Sequence, residues 1–394
     1  MRIAALALAA LCLAAPLSAA PKAKVPKVPA HWPTFKGDNR RSGLSSSRLG
    51  LPITEKWRVK LRSSLYSSPV VEDGRVYLGS SSKRLYCLDL ERGQILWQKE
   101  LPAKVWGSSP AVDKGRVFIG AVDGCVYSFD AVTGEAVGSY CATNPDFMGD
   151  ADVLSSPLVE DGRLVFGSDN KDVYGWDLRG QKPLWRFTTD DILHDNSAAC
   201  ADGTVYMSSR DGRAYALSLS SGAKVWQSEK YPKPFNTAPS LDDEKAYFTG
   251  GDGVLHALSR ADGHELWRYE TGHISMSSPA LDGEGHLVFG SGDKHAYALN
   301  TADGSLVWSF KAEDGILSSP MITGGLVWFG SFDQKLYAVD LATGQEQWSA
   351  DLDGGVFTSP ACAGNYVLAA GRDGILACFE ATPASPSSPS VSGK

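Results

Sequence analysis

A repeated unit of about 41 residues constrains the fold of this chain more than any other feature. Its clearest copies read LYCLDLERGQILWQKE (85–100), AYALSLSSGAKVWQSE (214–229), AYALNTADGSLVWSFK (296–311) and LYAVDLATGQEQWSAD (336–351). A proline or small residue opens the unit at eight places, which we align at Pro69, Pro110, Pro157, Ala199, Pro239, Pro279, Pro320 and Pro360. Self-similarity at such a period indicates a repeat architecture.

Short alternating runs separated by turn residues fill each unit. In the first unit, SPVVE turns at Asp73-Gly74 into RVYLGS, which leads through SSK into RLYCLDL and then through Arg92-Gly93 into QILWQKE. Asp-Gly between alternating hydrophobic residues is a strong hairpin signal. Four strands within this period are typical of one propeller blade. We therefore predict an all-β fold built from four-stranded antiparallel blades.

The two ends of the repeat region determine how the ring closes. Residues 53–61 (ITEKWRVKL) have the pattern of a fourth strand without three strands before it, and the last unit, 360–380, has three strands and no fourth. We predict that the N-terminal strand completes the last blade, which gives an eight-bladed propeller over 31–381 with no blade lacking its outer strand. A large aromatic residue on each fourth strand is predicted to pack between blades: Trp57, Trp97, Tyr140, Trp185, Trp226, Trp267, Trp308 and Trp348.

The N-terminal residues indicate an exported protein. Residues 1–20 read as a signal peptide, with Arg2 before an apolar core (3–17) and small residues at 18–20. Cys12 lies inside that core after Leu11, so we expect no lipid anchor. Residues 21–30 read as a Pro/Lys spacer and 382–394 as a disordered tail. No other run is long enough for a transmembrane helix, and we expect a soluble monomer in the periplasm or outside the cell.

The phrase x-D-x-x-T-G-x-x-x-W, present as FDAVTGEAVGSY and VDLATGQEQW, resembles the repeat of pyrroloquinoline-quinone-like (PQQ-like) β-propellers. HWPTFKGDNRRSGLS (31–45) is similar to the lead-in of such propellers in exported bacterial proteins. The resemblance implies one of two classes. Quinoprotein dehydrogenases hold the quinone over the central axis with a metal ion and an Asp base, usually with a disulfide between adjacent cysteines. Non-catalytic members are bare rings, like the propeller subunit of the outer-membrane β-barrel assembly machinery.

Two sequence features favour the non-catalytic class. The chain has no Cys-Cys pair, and only one unit is stretched, by about six residues. We therefore expect a scaffold without cofactor that binds an envelope protein or an exposed β-strand. A PQQ- or metal-dependent oxidoreductase and a glycan-binding propeller are the alternatives. The net charge of −7 and the absence of a basic stripe give a nucleic-acid partner no electrostatic support.

The loops that join each fourth strand to the next first strand are predicted to form a funnel on one face. Three residues before each opening position stand Tyr66, Gly107, Leu154, Asn196, Asn236, Met276, Leu317 and Phe357. Large apolar side chains in exposed loops indicate a partner-binding rim, although they could instead fill the funnel or pack on the next blade. The predicted rim comprises Tyr66, Trp106, Leu154, Phe235, Met276, Leu317 and Phe357.

Two neighbouring loops, 141–154 and 188–196, are rich in acidic residues. Carboxylates on adjacent loops can hold a hard cation, and a histidine among them can exchange protons. The weak candidates are Asp150, Asp152, His194 and Asp195, with Asp146, Asp190 and Asp191 nearby. Because their spacing is irregular, solvated acidic loops are the alternative, and we assign no catalytic or metal site.

Cys125 and Cys141 are the one pair that hairpin geometry brings together. Cys125 begins a third strand and Cys141 ends the paired fourth strand, opposite each other about the turn at Val132-Thr133. We predict a cross-strand disulfide, since an exported protein meets oxidants; the alternative is two small buried hydrophobic residues.

Overall fold

The computed structural model describes residues 31–143 and 151–383, and within them the chain forms eight four-stranded antiparallel sheets and no helix. The eight-bladed all-β propeller predicted from the repeat is confirmed. The blades, each given from its innermost strand outward, are blade 1, β2 (Val70–Glu72), β3 (Arg75–Ser80), β4 (Arg84–Asp89) and β5 (Ile95–Glu100); blade 2, β6 (Ala111–Asp113), β7 (Arg116–Gly120), β8 (Cys125–Asp130) and β9 (Ala136–Cys141); blade 3, β10 (Leu158–Glu160), β11 (Arg163–Gly167), β12 (Asp172–Asp177) and β13 (Lys182–Thr188); blade 4, β14 (Ala199–Ala201), β15 (Thr204–Ser208), β16 (Ala214–Ser218) and β17 (Lys224–Gln227); blade 5, β18 (Ser240–Leu241), β19 (Lys245–Thr249), β20 (Val254–Ser259) and β21 (Glu265–Glu270); blade 6, β22 (Ala280–Leu281), β23 (His286–Gly290), β24 (His295–Asn300) and β25 (Leu306–Lys311); blade 7, β26 (Met321–Thr323), β27 (Leu326–Gly330), β28 (Lys335–Asp340) and β29 (Glu346–Asp351); and blade 8, β30 (Ala361–Ala363), β31 (Tyr366–Ala370), β32 (Ile375–Pro383) and β1 (Leu49–Lys60).

Blade 8 joins the two ends of the chain. β1 pairs antiparallel with β32 from Leu49 opposite Pro383 to Lys60 opposite Ile375. The ring is therefore closed by its own N-terminal strand, as predicted. β1 begins four residues before the predicted 53, and the described part of the last blade includes 382–383, which the sequence assigned to the tail. The predicted signal peptide, the spacer and residues 384–394 lie outside the described residues.

Indole side chains on the outer strands connect each blade to the next. Six of the seven predicted tryptophans donate Nε1–H to a backbone carbonyl of the following blade, at 2.7–3.3 Å: Trp57 to Leu90, Trp97 to Ala131, Trp185 to Leu219, Trp226 to Arg260, Trp267 to Thr301 and Trp308 to Leu341. Trp348 instead packs edge-on against Phe379 of blade 8, with ring centroids 4.9 Å apart. In blade 2, Tyr140 takes this place and packs edge-on against Trp176 of blade 3.

The Asp-x-x-Thr-Gly phrase forms the turn that receives the tryptophan of the preceding blade. In blade 7, the Asp340 carboxylate accepts hydrogen bonds from the backbone N–H and hydroxyl of Thr343. Gly344 follows with a φ of +70°, and a Cβ there would lie 2.7 Å from the Trp308 ring. Glycine is needed both for the left-handed backbone and for the close approach of the indole.

The segment 32–48 circles the channel at the end opposite the funnel. Its backbone or side chains contact the innermost strand of blades 1 to 7 in order, before the chain enters β1 of blade 8. The hydrogen bonds pair Trp32 with Val71, Pro33 with Val112, Asn39 with Val159 and Cys200, Arg40 with Leu241, Ser42 with Leu281 and Gly43 with Ile322. This segment, which we call the N-terminal plug, therefore links the inner strands of blades 1 to 7 before the chain enters blade 8.

Two buried cations anchor the plug. Lys36 donates to Ser240 Oγ and to the Ser278 carbonyl, both at 3.1 Å, and Arg41 donates to the Ala198 carbonyl at 3.0 Å and to Thr34 Oγ1 at 2.6 Å. Burial lowers the pKa of Arg41 to about 10 and that of Lys36 well below its usual range. Carbonyl and hydroxyl oxygens of several blades replace the lost water around these cations.

Deleting residues 31–61 removes both the plug and the outer strand of blade 8. We expect the truncated protein to aggregate or to lose cooperative thermal unfolding, because β32 becomes an unpaired edge and the inner strands lose their common partner. Circular dichroism melting and light scattering of the truncated and full chains measure this. A truncated chain that melts like the full one would contradict the closure.

Trp226→Ala tests the contact between blades 4 and 5. The side chain is 7% exposed and bonds the Arg260 carbonyl, so we expect a loss of about 3–5 kcal/mol in the free energy of unfolding. Val225→Ala is the matched control, because its side chain on the same strand is 56% exposed and should change stability by less than about 0.5 kcal/mol. Urea denaturation compares them; equal effects would argue against the Trp contact as a main link.

Candidate functional site

A ring of serines lines the channel below the funnel. The backbone N–H of one serine donates to the hydroxyl of the serine in the next blade at 2.8–3.0 Å, for Ser68 to Ser109, Ser109 to Ser156, Ser156 to Ser197, Ser278 to Ser319, Ser319 to Ser359 and Ser359 to Ser68. Ala238 occupies the corresponding place in blade 5. These bonds hold the loops above them in place around a central pocket of about 70 Å³, where Phe35 of the plug is among the lining residues.

The serine ring shows that the alignment of the fourth unit is wrong by one residue. β14 begins at Ala199, which pairs with Tyr206 as Val70 pairs with Tyr77 in blade 1. The opening position is therefore Ala198, not Ala199, and the residue three before it is Asp195, not Asn196. Ala198 stands where the other units have proline, and Ala199 next to it is equally small. The sequence alone therefore does not show which of the two opens the unit.

The predicted rim residues divide into three groups. Tyr66, Met276, Leu317 and Phe357 are half-buried and line the central pocket, and Trp106 is 41% exposed above it. Leu154 and Phe235 were wrongly placed on the rim. Leu154 is 4% exposed, and Phe235, 1% exposed, packs against Tyr231 and Phe248. For these two, packing inside the ring is the correct interpretation, and we exclude them from the binding surface.

Four aromatic side chains form a continuous arc on the funnel face over blades 7, 8, 1 and 2. Ring centroids are 6.2 Å apart for Phe332 and Phe357, 6.3 Å for Phe357 and Tyr66, and 4.2 Å for the stacked pair Tyr66 and Trp106. Arg372 donates to the Tyr66 hydroxyl at 2.9 Å, and its guanidinium lies over the Tyr66 ring. We call Phe332, Phe357, Tyr66 and Trp106 the aromatic arc.

The other side of the funnel, on blades 3 and 4, carries ionisable groups. His194 Nδ1 lies 3.0 Å from Asp169 Oδ2, and His194 Nε2 lies 3.8 Å from Asp195 Oδ2. The hydrogen bond with Asp169 raises the pKa of His194, whereas burial raises the pKa of Asp195 to about 6. Asp195 Oδ1 is buried and has no hydrogen-bond partner. This side of the funnel therefore holds an acceptor without a donor.

The structure brings together only part of the predicted acidic cluster. His194 and Asp195 are adjacent to each other, and Asp169, which the sequence pattern does not indicate, joins them. Asp152 accepts a hydrogen bond from the Asp169 backbone N–H through its own carbonyl, at 2.9 Å, and Asp146 and Asp150 lie outside the described residues. Across 31–143 and 151–383, no group of three or more His, Cys, Asp or Glu side chains is placed to hold a metal ion.

Gly107 connects the two sides of the funnel. It has a φ of +80°, and a Cβ at this position would lie 2.3 Å from Asp195 Oδ1. Only a glycine leaves room for the carboxylate next to the backbone of blade 2. Because Trp106 precedes Gly107, the carboxylate adjoins one end of the aromatic arc.

Cys125 and Cys141 form a disulfide between the funnel ends of β8 and β9, with Cα atoms 4.0 Å apart. This distance is slightly shorter than the common range of about 4.4–6.8 Å. The bridge lies at the start of the extended loop that leads into blade 3. The other cysteines of the described chain, Cys87, Cys200, Cys362 and Cys378, are free and buried.

Comparison with known families identifies the propeller. The family described as outer membrane protein assembly factor BamB matches residues 54–186, 148–243, 169–284 and 251–383, which together span most of the chain. The chain belongs to the BamB family. No curated protein matches its sequence.

Solved structures with the same fold include a BamB protein and dehydrogenases. BamB from Moraxella catarrhalis is 18% identical, with a TM-score of 0.68 over 85% of this chain and 100% of that one. Quinohemoprotein alcohol dehydrogenase from Comamonas testosteroni is 16% identical, with a TM-score of 0.78 over 93% of this chain and 83% of that one. A europium-containing methanol dehydrogenase is 14% identical, with a TM-score of 0.75 over 90% and 98%. At these identities the likeness shows the fold alone.

The central pocket of this BamB-family chain does not fit the planar, acidic quinone of the dehydrogenases. Its volume of about 70 Å³ is well below the roughly 300–1,000 Å³ of typical cofactor pockets. The unpaired oxygen of Asp195 also presents an acceptor to a ligand that carries carboxylates of its own. Quinone chemistry therefore has no support in the described pocket.

Replacing Cys125 and Cys141 together by serine tests the disulfide. The bridge closes a loop of 16 residues, so its loss should lower the free energy of unfolding by about 3 kcal/mol. Urea denaturation with and without dithiothreitol gives the comparison, and non-reducing peptide mapping identifies the linked pair. Reductant should destabilise the wild type and leave the double variant unchanged; an unaffected wild type would contradict the bridge.

Proposed function

We propose that this protein is an exported, non-catalytic scaffold that binds a protein partner of the cell envelope on its funnel face. The observation that carries this proposal is the aromatic arc, in which Trp106 is 41% exposed and stacked on Tyr66. A partly exposed aromatic surface around a pocket is typical of an interaction site, and aromatic and Met residues are enriched at the cores of protein interfaces.

Membership of the BamB family supports the same function, since that family is described by its role in outer membrane protein assembly. The signal-like residues 1–20 support export to the periplasm or beyond. The part of the chain that the structure describes has no helix long and apolar enough to cross a membrane. We propose that a monomer binds an outer-membrane assembly protein or an exposed β-strand, and no nucleic acid.

A quinone-dependent oxidoreductase is the second candidate, because the similar structures include dehydrogenases, with TM-scores of 0.78 and 0.75 for the two described above. The small pocket and the acceptor oxygen of Asp195 argue against it. A glycan-binding propeller is a third candidate, which the aromatic arc alone would permit.

Replacing Trp106 and Phe357 together by alanine tests the scaffold function. We expect capture of envelope proteins from a detergent extract to weaken about thirtyfold, since two anchors of this kind contribute about 2 kcal/mol or more to binding. The melting temperature should fall only modestly, because Trp106 is 41% exposed and Phe357 is half-buried at the pocket rather than in the core. Binding of the captured partner and thermal unfolding are measured on the same preparations.

Leu184→Ala is the matched control for this pair, because Leu184 is also 41% exposed but lies on the outer strand of blade 3. It should leave capture unchanged. Unchanged capture by a folded double variant would contradict binding at the funnel. Loss of capture only in proportion to unfolding would show that the arc is structural.

Adding pyrroloquinoline quinone with calcium tests the oxidoreductase alternative. We expect no oxidation of alcohols or sugars above background in a dye-linked assay, because the small pocket and the acceptor oxygen of Asp195 do not suit an acidic quinone. A known quinoprotein dehydrogenase reconstituted in parallel serves as the positive control. Turnover that Asp195→Asn or Asp152→Asn abolishes would reverse the assignment in favour of an enzyme.

A further inference from the structure

One rim position of the funnel differs in charge from the others. The eight rim positions, all of them described, are Tyr66, Gly107, Leu154, Asp195, Asn236, Met276, Leu317 and Phe357. Asp195 is the only carboxylate among them, and its backbone has a φ of +57°, which non-glycine residues adopt uncommonly.

The surroundings of Asp195 form a fixed site for the carboxylate. Gly107 supplies the space for Oδ1, which is buried without a partner, and the side chain as a whole remains 24% exposed at the central pocket. His194 does not satisfy the carboxylate, because its closer contact is with Asp169 and its Nε2 stays 3.8 Å from Asp195 Oδ2. The charge of the carboxylate is therefore uncompensated on its buried side, and an incoming group meets it on the part of the side chain that stays exposed at the pocket.

The chemistry of the missing donor follows from the neighbouring groups. Asp195, with a pKa of about 6, is ionised at neutral pH, so a cation is favoured over a neutral hydroxyl. The adjoining aromatic arc offers ring faces, which attract ammonium and guanidinium groups and pack against the methylene stems of Lys and Arg. The 70 Å³ pocket accepts the end of one side chain rather than an element of secondary structure.

We propose that the funnel binds its partner through one cationic side chain, a lysine or an arginine, whose charged group pairs with Asp195 while the flanking residues contact the aromatic arc. This inference rests on the proposed scaffold function and adds the chemistry of the partner. The partner is then an extended segment with a basic residue between apolar ones.

Short peptides test the site without knowledge of the partner. The probes are Ac-Gly-Phe-Lys-Phe-Gly-NH2 and its versions with norleucine or glutamate in place of lysine, and chitotetraose represents a neutral glycan. Isothermal titration measures affinity, and the indole N–H signal of Trp106, assigned with Trp106→Phe, reports the position of binding. We expect the lysine peptide to bind at least about tenfold more tightly than the norleucine peptide.

Two variants of the same loop separate the site from general charge effects. Asp195→Asn should abolish the preference for lysine, whereas Asp190→Asn, at an exposed residue outside the pocket, should retain it. Because burial raises the pKa of Asp195, the ionised carboxylate at neutral pH destabilises the folded state relative to the unfolded state. Asp195→Asn should therefore melt at least as high as the wild type at pH 7.5, so a lost preference cannot be ascribed to unfolding.

The preference should also decrease as the pH falls from 8 to 5. Asp195 becomes protonated through a pKa of about 6, and His194, whose pKa is raised above its usual value, becomes more positively charged as the pH falls. Both changes weaken binding of a cation. Asp169 and Arg210 are the other charged groups near the carboxylate, and the asparagine variant should abolish the Asp195 component of the pH dependence.

Equal binding of the lysine and norleucine peptides, no binding of either, an unchanged preference in Asp195→Asn, or tighter binding of the glycan would each overturn the cation site. Failure of this inference is distinguishable from failure of the scaffold function. If the arc variants lose envelope capture but Asp195→Asn does not, the cation site is wrong and the scaffold stands. If the lysine preference holds but no envelope protein is captured, the cation site stands and the scaffold function is wrong.

Discussion

The contact between an outer-strand tryptophan and the turn of the next blade is the interaction on which the ring depends. The strand ladders pair only within a blade, so neighbouring blades are held together by side chains, loops and the plug. Trp308 illustrates the solution: its indole bonds the Leu341 carbonyl and packs on Gly344. The contact combines a large buried apolar area with one satisfied donor, and a left-handed glycine allows it.

The exceptions to this regular pattern lie close together. Tyr140 replaces the tryptophan in blade 2, the loop into blade 3 is extended, and Ala198 replaces the opening proline in blade 4. Asp195 and its partners lie in this same sector. Departures from locally consistent sequence are expected where function competes with folding, which supports an assignment of function to blades 2 to 4 together with the aromatic arc.

The fold was predictable because each landmark occurs in every unit, so an error in one unit is corrected by the others. The funnel was predictable only in part, because its side chains come from loop positions at which the repeated units differ from one another. Ala198 and Ala199 are both small, and the resulting shift of one residue placed Asn196 instead of Asp195 at the rim position. Asp169 and Phe332 were missed because they lie in loops between second and third strands, which reach the same face. Burial of Leu154 and Phe235 depends on side-chain direction within irregular loops, which spacing does not specify.

The plug separates closure of the ring from binding at the funnel. Segment 32–48 closes the end of the channel opposite the funnel through bonds to inner strands, with Lys36 and Arg41 held by oxygens of blades 3 to 6. The pocket above Phe35 therefore opens towards the loops, and a partner reaches Asp195 from that side. Because the serine ring and the tryptophan contacts hold the loops from below and outside, the rim side chains are free to diverge. The same ring can thus carry an aromatic arc and a single carboxylate on its funnel face without a change in the blades.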